Sequence, residues 1–155
     1  MPSIEHEALL ELFRNRPELA ACLLRDVLHV ELPQYAETRI ESAELTDVQP
    51  AEYRADLVVL LYDNKPVYGI VVEVQRSRKT RKRYAWPVYA TSLRARLRCP
   101  TCVLVYSPYK SIARWAAKPI PLGGGNYFTP WVIGPMACRK SSIAGKQKPT
   151  PSSPS

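Results

Sequence analysis

The sequence predicts a single α/β domain, a mixed sheet of about four strands flanked by helices. Three observations lead there: an N-terminal pair of amphipathic helical segments, two adjacent strand-like runs rich in Val, Leu, Ile and Tyr (residues 53–62 and 67–75), and a long basic helical segment followed by another apolar run at residues 102–106. With 155 residues and 46% hydrophobic content the chain suits one domain over residues 1–135. Residues 136–155 contain Lys, Ser and Pro with few large apolar groups, which predicts a disordered basic tail.

The elements follow in order. Leu9, Leu10, Leu12 and Phe13 among glutamates predict a short helix over residues 4–14, ending near Asn15. Pro17 starts a second helix, with Leu19, Leu23, Val27 and Val30 at helical spacing until Pro33 stops it. Residues 38–48 alternate weakly and carry several charges, the pattern of an edge strand. Residues 53–62 and 67–75, separated by the turn-forming Asp63, Asn64, Lys65 and Pro66, form a hairpin. Residues 78–98 are helical with one face of Trp86, Tyr89, Leu93 and Leu97, and Pro87 is expected to kink this helix or split off its first turn. This spacing favours core packing over base stacking for Trp86 and Tyr89. A buried strand at 102–106 and a short helix at 111–117 complete the pattern, and Gly123 to Gly125 form a flexible connection rather than a phosphate cradle.

Several classes are excluded or disfavoured. The apolar stretches are far shorter than the roughly 20 residues that span a bilayer, so no membrane association is expected. The acidic N-terminus lacks the basic start and apolar core of a signal peptide, giving a cytoplasmic protein as the expectation. Cys22, Cys99, Cys102 and Cys138 are then read as reduced thiols; the Cys99-Pro100-Thr101-Cys102 spacing enters a strand instead of opening a helix, so packing is preferred to redox or zinc chemistry.

Charge is distributed unevenly. All 14 acidic residues lie at or before Glu73, with six basic ones, so this half carries −8; residues 74–155 hold the other 16 basic residues and no acid, giving +16. Nine of these cations fall between Arg76 and Arg98. A polyanionic partner is expected, with a solvated basic face as the plain alternative.

The hairpin places chemistry at that boundary. With a two- or four-residue turn, opposed residues sum to 129, so Asp56 faces Glu73 and Gln75 shares their side of the sheet. A three-residue turn would slip the register and send the two carboxylates to opposite faces. Two carboxylates in apolar strands need a cation between them, and hard oxygen ligands suit Mg²⁺ or Mn²⁺. From the hairpin alone, a metal site and an ion pair with an arginine account for them equally well.

The order helix, strand, strand with Ala55-Asp56, strand with Glu73-Val74-Gln75, helix, strand, over roughly residues 17–107, resembles the PD-(D/E)XK nuclease superfamily, whose restriction-endonuclease-like core is αβββαβ. The spacing of 17 residues between the acids fits, and the Glu-x-Gln motif is similar to that of the recombination-promoting, transposase-associated branch. The resemblance implies a DNA endonuclease with Asp56, Glu73 and Gln75 as catalytic residues and Asp56 and Glu73 as ligands of Mg²⁺ or Mn²⁺. DNA is the implied partner, with RNA as the alternative and a homodimer as one way to cut both strands. Arg76, Arg78, Lys79, Arg81, Lys82, Arg83 and Tyr84 are the expected nucleic-acid contacts, Arg83 and Tyr84 matching an Arg and a Tyr of that branch. Gln75 stands where the superfamily has lysine and cannot act as a base or carry charge; Lys79 and Lys82 are the candidates to replace it. Ala55 stands where a proline is nominal. His6 and His29 are read as surface or interhelix residues, and Glu7, Glu11 and Glu18 as a solvated helix face. A DNA-binding protein without catalysis on the same fold, or an interaction protein with a basic face, are the competing readings.

Overall fold

The computed structural model describes residues 3–43 and 54–135, and these form an α/β fold. Helix α1 (Ile4–Asn15) is capped by the Ser3 hydroxyl, which accepts from the His6 main-chain N–H, and it buries Leu10 and Phe13. Helix α2 (Glu18–Cys22) passes into a π-helical turn over Leu23–Val27, and His29 takes a left-handed φ of 59°. The second helix is therefore shorter than expected. The Val30 N–H turns back to the Leu24 carbonyl at 2.8 Å, closing the helix before Pro33.

Strands β1 (Glu37–Glu41), β2 (Leu57–Tyr62), β3 (Pro66–Val74) and β4 (Thr101–Tyr106) are joined by a fifth, β7 (Trp131–Ile133), in the order β1-β2-β3-β4-β7. The first three pair antiparallel, and β3, β4 and β7 run parallel. The fifth strand exceeds the four expected. A separate ribbon of β5 (Ile120–Gly123) and β6 (Asn126–Phe128) turns through Gly123 to Gly125, all at positive φ, so the supposed flexible connection is a tight hairpin. The expected edge strand is β1 as far as Glu41; its continuation past Ala43, Tyr53 at the start of the next expected strand, Cys138 and the whole basic tail lie outside the described residues.

Helix α3 (Thr80–Leu97) runs as one element through Pro87, which neither splits nor ends it. Contacts made by Lys82, Arg83 and Trp86 hold the turn before the proline in place, and Pro87 itself is buried. Helix α4 (Lys110–Ala116) follows β4. Alternation sorts the sheet's side chains between two cores. Leu57, Val59, Leu61, Ile70 and Val72 pack with α1 and α2, whereas Val58, Leu60, Val71, Val103 and Val105 pack with Trp86, Tyr89 and Leu93 of α3. Trp86, Tyr89 and Leu93 are fully buried, as their spacing predicts, each contributing on the order of 2 kcal/mol by removal from water. Gly69 permits the close approach of α3 to β3: a Cβ there would meet Leu93 Cδ2 at 2.7 Å.

The hairpin turn corrects one expectation and preserves its consequence. Tyr62 pairs with Pro66, so the loop has three residues, Asp63, Asn64 and Lys65, with Asn64 at φ 67°. Between Leu61 and Tyr62 the register shifts, leaving Val67 as an extra residue on β3. That bulge cancels the slip. From Leu61↔Tyr68 to Leu57↔Val72 the partners sum to 129, the register that aligns Asp56 with Glu73.

Candidate active site

At the open end of β2 and β3, Asp56 and Glu73 lock to each other through the main chain. The Asp56 N–H donates to Glu73 Oε2 at 2.9 Å, and the Val74 N–H donates to Asp56 Oδ2 at 3.0 Å. Asp56 stands one residue before β2, and Glu73 is the penultimate residue of β3, so the hairpin register alone brings the two acids together.

Their environments differ. Glu73 is fully buried on the α3 side of the sheet, while the Asp56 side chain is 20% exposed and lines a cleft of about 840 Å³. Burial, then the neighbouring Asp56 charge, pushes the Glu73 carboxyl upward; Lys82 and the Asp56 N–H oppose this. Lys82 Nζ lies 2.9 Å from Glu73 Oε1, and Trp86 Nε1–H donates to the same oxygen at 3.1 Å. Burial works to lower the Lys82 pKa, but the charge and hydrogen bond of Glu73, with smaller contributions from Tyr89 and Asp56, lift it to about 12. Tyr89, pushed up to about 12 chiefly by burial, accepts from Lys82 at 3.4 Å and donates to the Arg54 carbonyl at 3.1 Å. The cation that the buried Glu73 carboxylate requires beside Asp56 is thus supplied by α3. It comes from a lysine and not from the arginines that an ion-pair reading would use.

Lys82 is one of the two lysines named from sequence as replacements for the missing charge at Gln75. The other, Lys79, is exposed and lines the cleft. Gln75 is 3% exposed, pairs through its main-chain N–H with the Tyr106 carbonyl, and donates from Nε2 to the Ser77 carbonyl at 3.0 Å. Its side chain also lines the cleft, beside Val74 and Asp56.

The basic segment divides into two groups. Arg76 donates to Ser3 Oγ at 2.9 Å and to Tyr109 OH at 3.1 Å and pairs with Glu5, so it fastens the start of α1 to the sheet. Arg83 donates to the carbonyls of Trp115, Lys118 and Pro119, and its guanidinium sits 5.7 Å from the Trp115 ring, closing the C-terminal end of α4. Arg78, Lys79, Arg81 and Tyr84 are exposed, Tyr84 at 75%. Three of the seven expected nucleic-acid contacts, Arg76, Lys82 and Arg83, therefore hold intramolecular partners.

His6, expected from the sequence to be a surface or interhelix residue, belongs to the site instead. It reaches from α1 to place Nε2 3.2 Å from Asp56 Oδ2 and lines the cleft with Ser3. A separation of 50 residues leaves no local spacing to signal the contact. Trp86 is legible as a core residue, but not as a donor to Glu73. His29 and Glu18 lie away from the cleft lining, and Glu7 and Glu11 pair with Arg14. Cys99 and Cys102 are free thiols, and burial pushes Cys102 up to about 12, the condition of a packed and unreactive sulfur.

In donor chemistry the residues fit a hard divalent cation: Asp56 lines one cleft with Val74 and Gln75, whose carbonyl and amide oxygens are ligands of the kind such an ion takes, and Glu73 lies immediately behind. Among the described residues no cluster of three or more His, Cys, Asp and Glu side chains is disposed to hold a metal ion, so main-chain, amide and water oxygens would complete the shell. For Glu73 to take part, the Lys82 ammonium must move off Oε1. Among the described residues no helix is long and apolar enough to cross a membrane. Comparison of the chain with protein-family models, with curated proteins and with solved structures found no match.

Proposed function

We propose that the protein is a metal-dependent DNA endonuclease of the PD-(D/E)XK type, working in the cytoplasm. The observation that carries this reading is the placement of Asp56 and the Lys82 ammonium in a cleft also lined by Arg54, Lys79 and Arg81, with the buried Glu73 bonded to both immediately behind. The element order α2, β1, β2, β3, α3, β4 supports it, being the αβββαβ sequence of that superfamily.

Asp56 and Glu73 would hold Mg²⁺ or Mn²⁺. When bound, such an ion lowers the pKa of water and neutralises charge on a phosphoryl group in flight. Lys82 carries the positive charge that Gln75 cannot, and stays protonated at neutral pH because its pKa is lifted to about 12. It therefore stabilises negative charge and does not serve as a base. Arg78, Lys79 and Arg81 bind the flanking phosphates, and Gln75 is held by Ser77 as a polar wall of the cleft.

Supercoiled plasmid incubated with Mg²⁺ or Mn²⁺ is the test. Nicking is expected, with loss in EDTA and in Asp56→Asn, and a fall of at least about 100-fold in Lys82→Met. Absence of cleavage, or cleavage unchanged in Asp56→Asn, refutes the enzyme. One observation favours a second reading, DNA binding without cleavage: both oxygens of Glu73 already accept from protein donors. Salt-dependent DNA retention with no nicking is its signature.

A further inference from the structure

We infer that the outer face of α3 is a docking track for duplex DNA, running from the candidate active site to a second arginine-lined cleft at the far end of the helix. It rests on the proposed DNA-directed function and extends it to a surface that the site does not include.

Arg81, Tyr84, Val88, Thr91 and Ala95 recur at intervals of three and four and so share one side of the helix, which Arg98 ends as its left-handed cap at φ 59°. All are exposed except Val88, which is half-buried. At one end Arg81 lines the cleft beside Asp56; at the other, Arg94, Ala95, Arg98, Cys99 and Pro100 line a second cleft of about 620 Å³. Arg81 and Arg98 are 17 positions apart, which at 1.5 Å per residue is about 25 Å.

Charge identifies the occupant. Among the described residues, Arg14, Arg16, Arg25 and Arg39 all pair with acids, whereas Arg81, Arg94 and Arg98 form no ion pair. No acidic residue follows Glu73 in the sequence, so neither α3 nor anything after it offers a partner. Cations in the last turn of a helix also complement its dipole. That role does not account for Arg81 at the opposite end, or for the uncharged stripe of Val88, Thr91 and Ala95 between the two arginine groups. Short side chains there let a broad surface lie close, while the ends meet its charge.

A second copy of this chain laid antiparallel would set arginine against arginine. Each strand winds a full turn in about 34 Å, so a duplex meets the two ends with phosphates of both strands along its near side, and it is straight over about 25 Å because its persistence length is about 50 nm. A single strand would have to be ordered over the same distance.

Fluorescence anisotropy in EDTA tests the track with a 24-base-pair duplex, a hairpin with a six-base-pair stem, too short to span about 25 Å at 3.4 Å per pair, and a 24-nucleotide single strand. The wild type is expected to bind the long duplex at least about tenfold more tightly than the short stem. Arg94→Gln with Arg98→Gln should abolish that advantage and reduce the salt slope by about 2. An unchanged affinity and slope in the double variant overturns the track, as does equal binding of the single strand and duplex. A wild type that binds through Arg94 and Arg98 but never cleaves plasmid sinks the hydrolase and leaves the track standing; a wild type that binds no duplex sinks the track.

Discussion

Lys82 Nζ lies 2.9 Å from Glu73 Oε1, joining the first turn of α3 to the end of β3 across the buried side of the sheet. Glu73 is wholly enclosed, and the Lys82 side chain is 15% exposed at the cleft. The pair is both a structural ion pair and the positive charge closest to the site's carboxylates, and variants separate the two roles.

Lys82→Met leaves a buried carboxylate without its cation, and a loss of about 3 kcal/mol in urea unfolding is expected. The pH dependence has a defined sign. The Glu73 carboxyl is raised above 4.5 in the native state, so its contribution favours folding at low pH and is lost as pH rises through the folded value. Lys82 restrains that rise. Without it the decline should extend to higher pH, and the variant should be least impaired in acid. In the wild type, the stabilisation from Lys82 is fully present below 10.5 and fades as pH passes about 12.

Trp86→Phe keeps a buried ring but removes the N–H that donates to Glu73 Oε1 at 3.1 Å. A loss of about 1.5–3 kcal/mol is expected, the range for a hydrogen bond to a charged group. Equal denaturation midpoints for variant and wild type would show that the indole donor contributes nothing.

Arg83→Ala should separate architecture from recognition. Its guanidinium serves three carbonyls around the end of α4, so a loss of about 2 kcal/mol in stability is expected with the DNA salt slope unchanged. Lys79→Ala, at an exposed position with no ion pair among the described residues, should do the reverse. A salt slope that falls in Arg83→Ala and stays fixed in Lys79→Ala contradicts this division.

Much of the site was legible because a hairpin is local. Asp56, Glu73 and Gln75 follow from strand alternation and a register, and the helix face of Trp86, Tyr89 and Leu93 follows from a period of 3.6. The turn shows the limit. Three loop residues and an unforeseen bulge at Val67 compensate each other, so the expected register arises by a different route. Contacts between distant segments carry no such pattern: His6 meets Asp56 from 50 residues away, and β7 is three residues long, recognisable as a strand through its pairing with β4. Arg83 and Arg78 look alike in sequence, and α4 alone distinguishes the clamp from the exposed cation.

Deleting Val67 makes that compensation testable. Without the extra residue, Tyr62↔Pro66 is followed directly by Leu61↔Tyr68, so the three-residue loop and a regular ladder keep Asp56 opposite Glu73. Cooperative unfolding and metal dependence are expected to survive the deletion; their loss would show that the Asp56–Glu73 register needs the bulge itself and not only the compensation of loop length.

Electron paramagnetic resonance of Mn²⁺ titrated into the folded protein tests the metal centre most directly. The account predicts one bound ion per chain in the wild type, loss of that ion in Asp56→Asn at unchanged secondary structure, and tighter binding in Lys82→Met, where the competing ammonium has been removed from Glu73 Oε1. A wild type that binds no Mn²⁺, or an Asp56→Asn variant that binds it as well as the wild type, would contradict it.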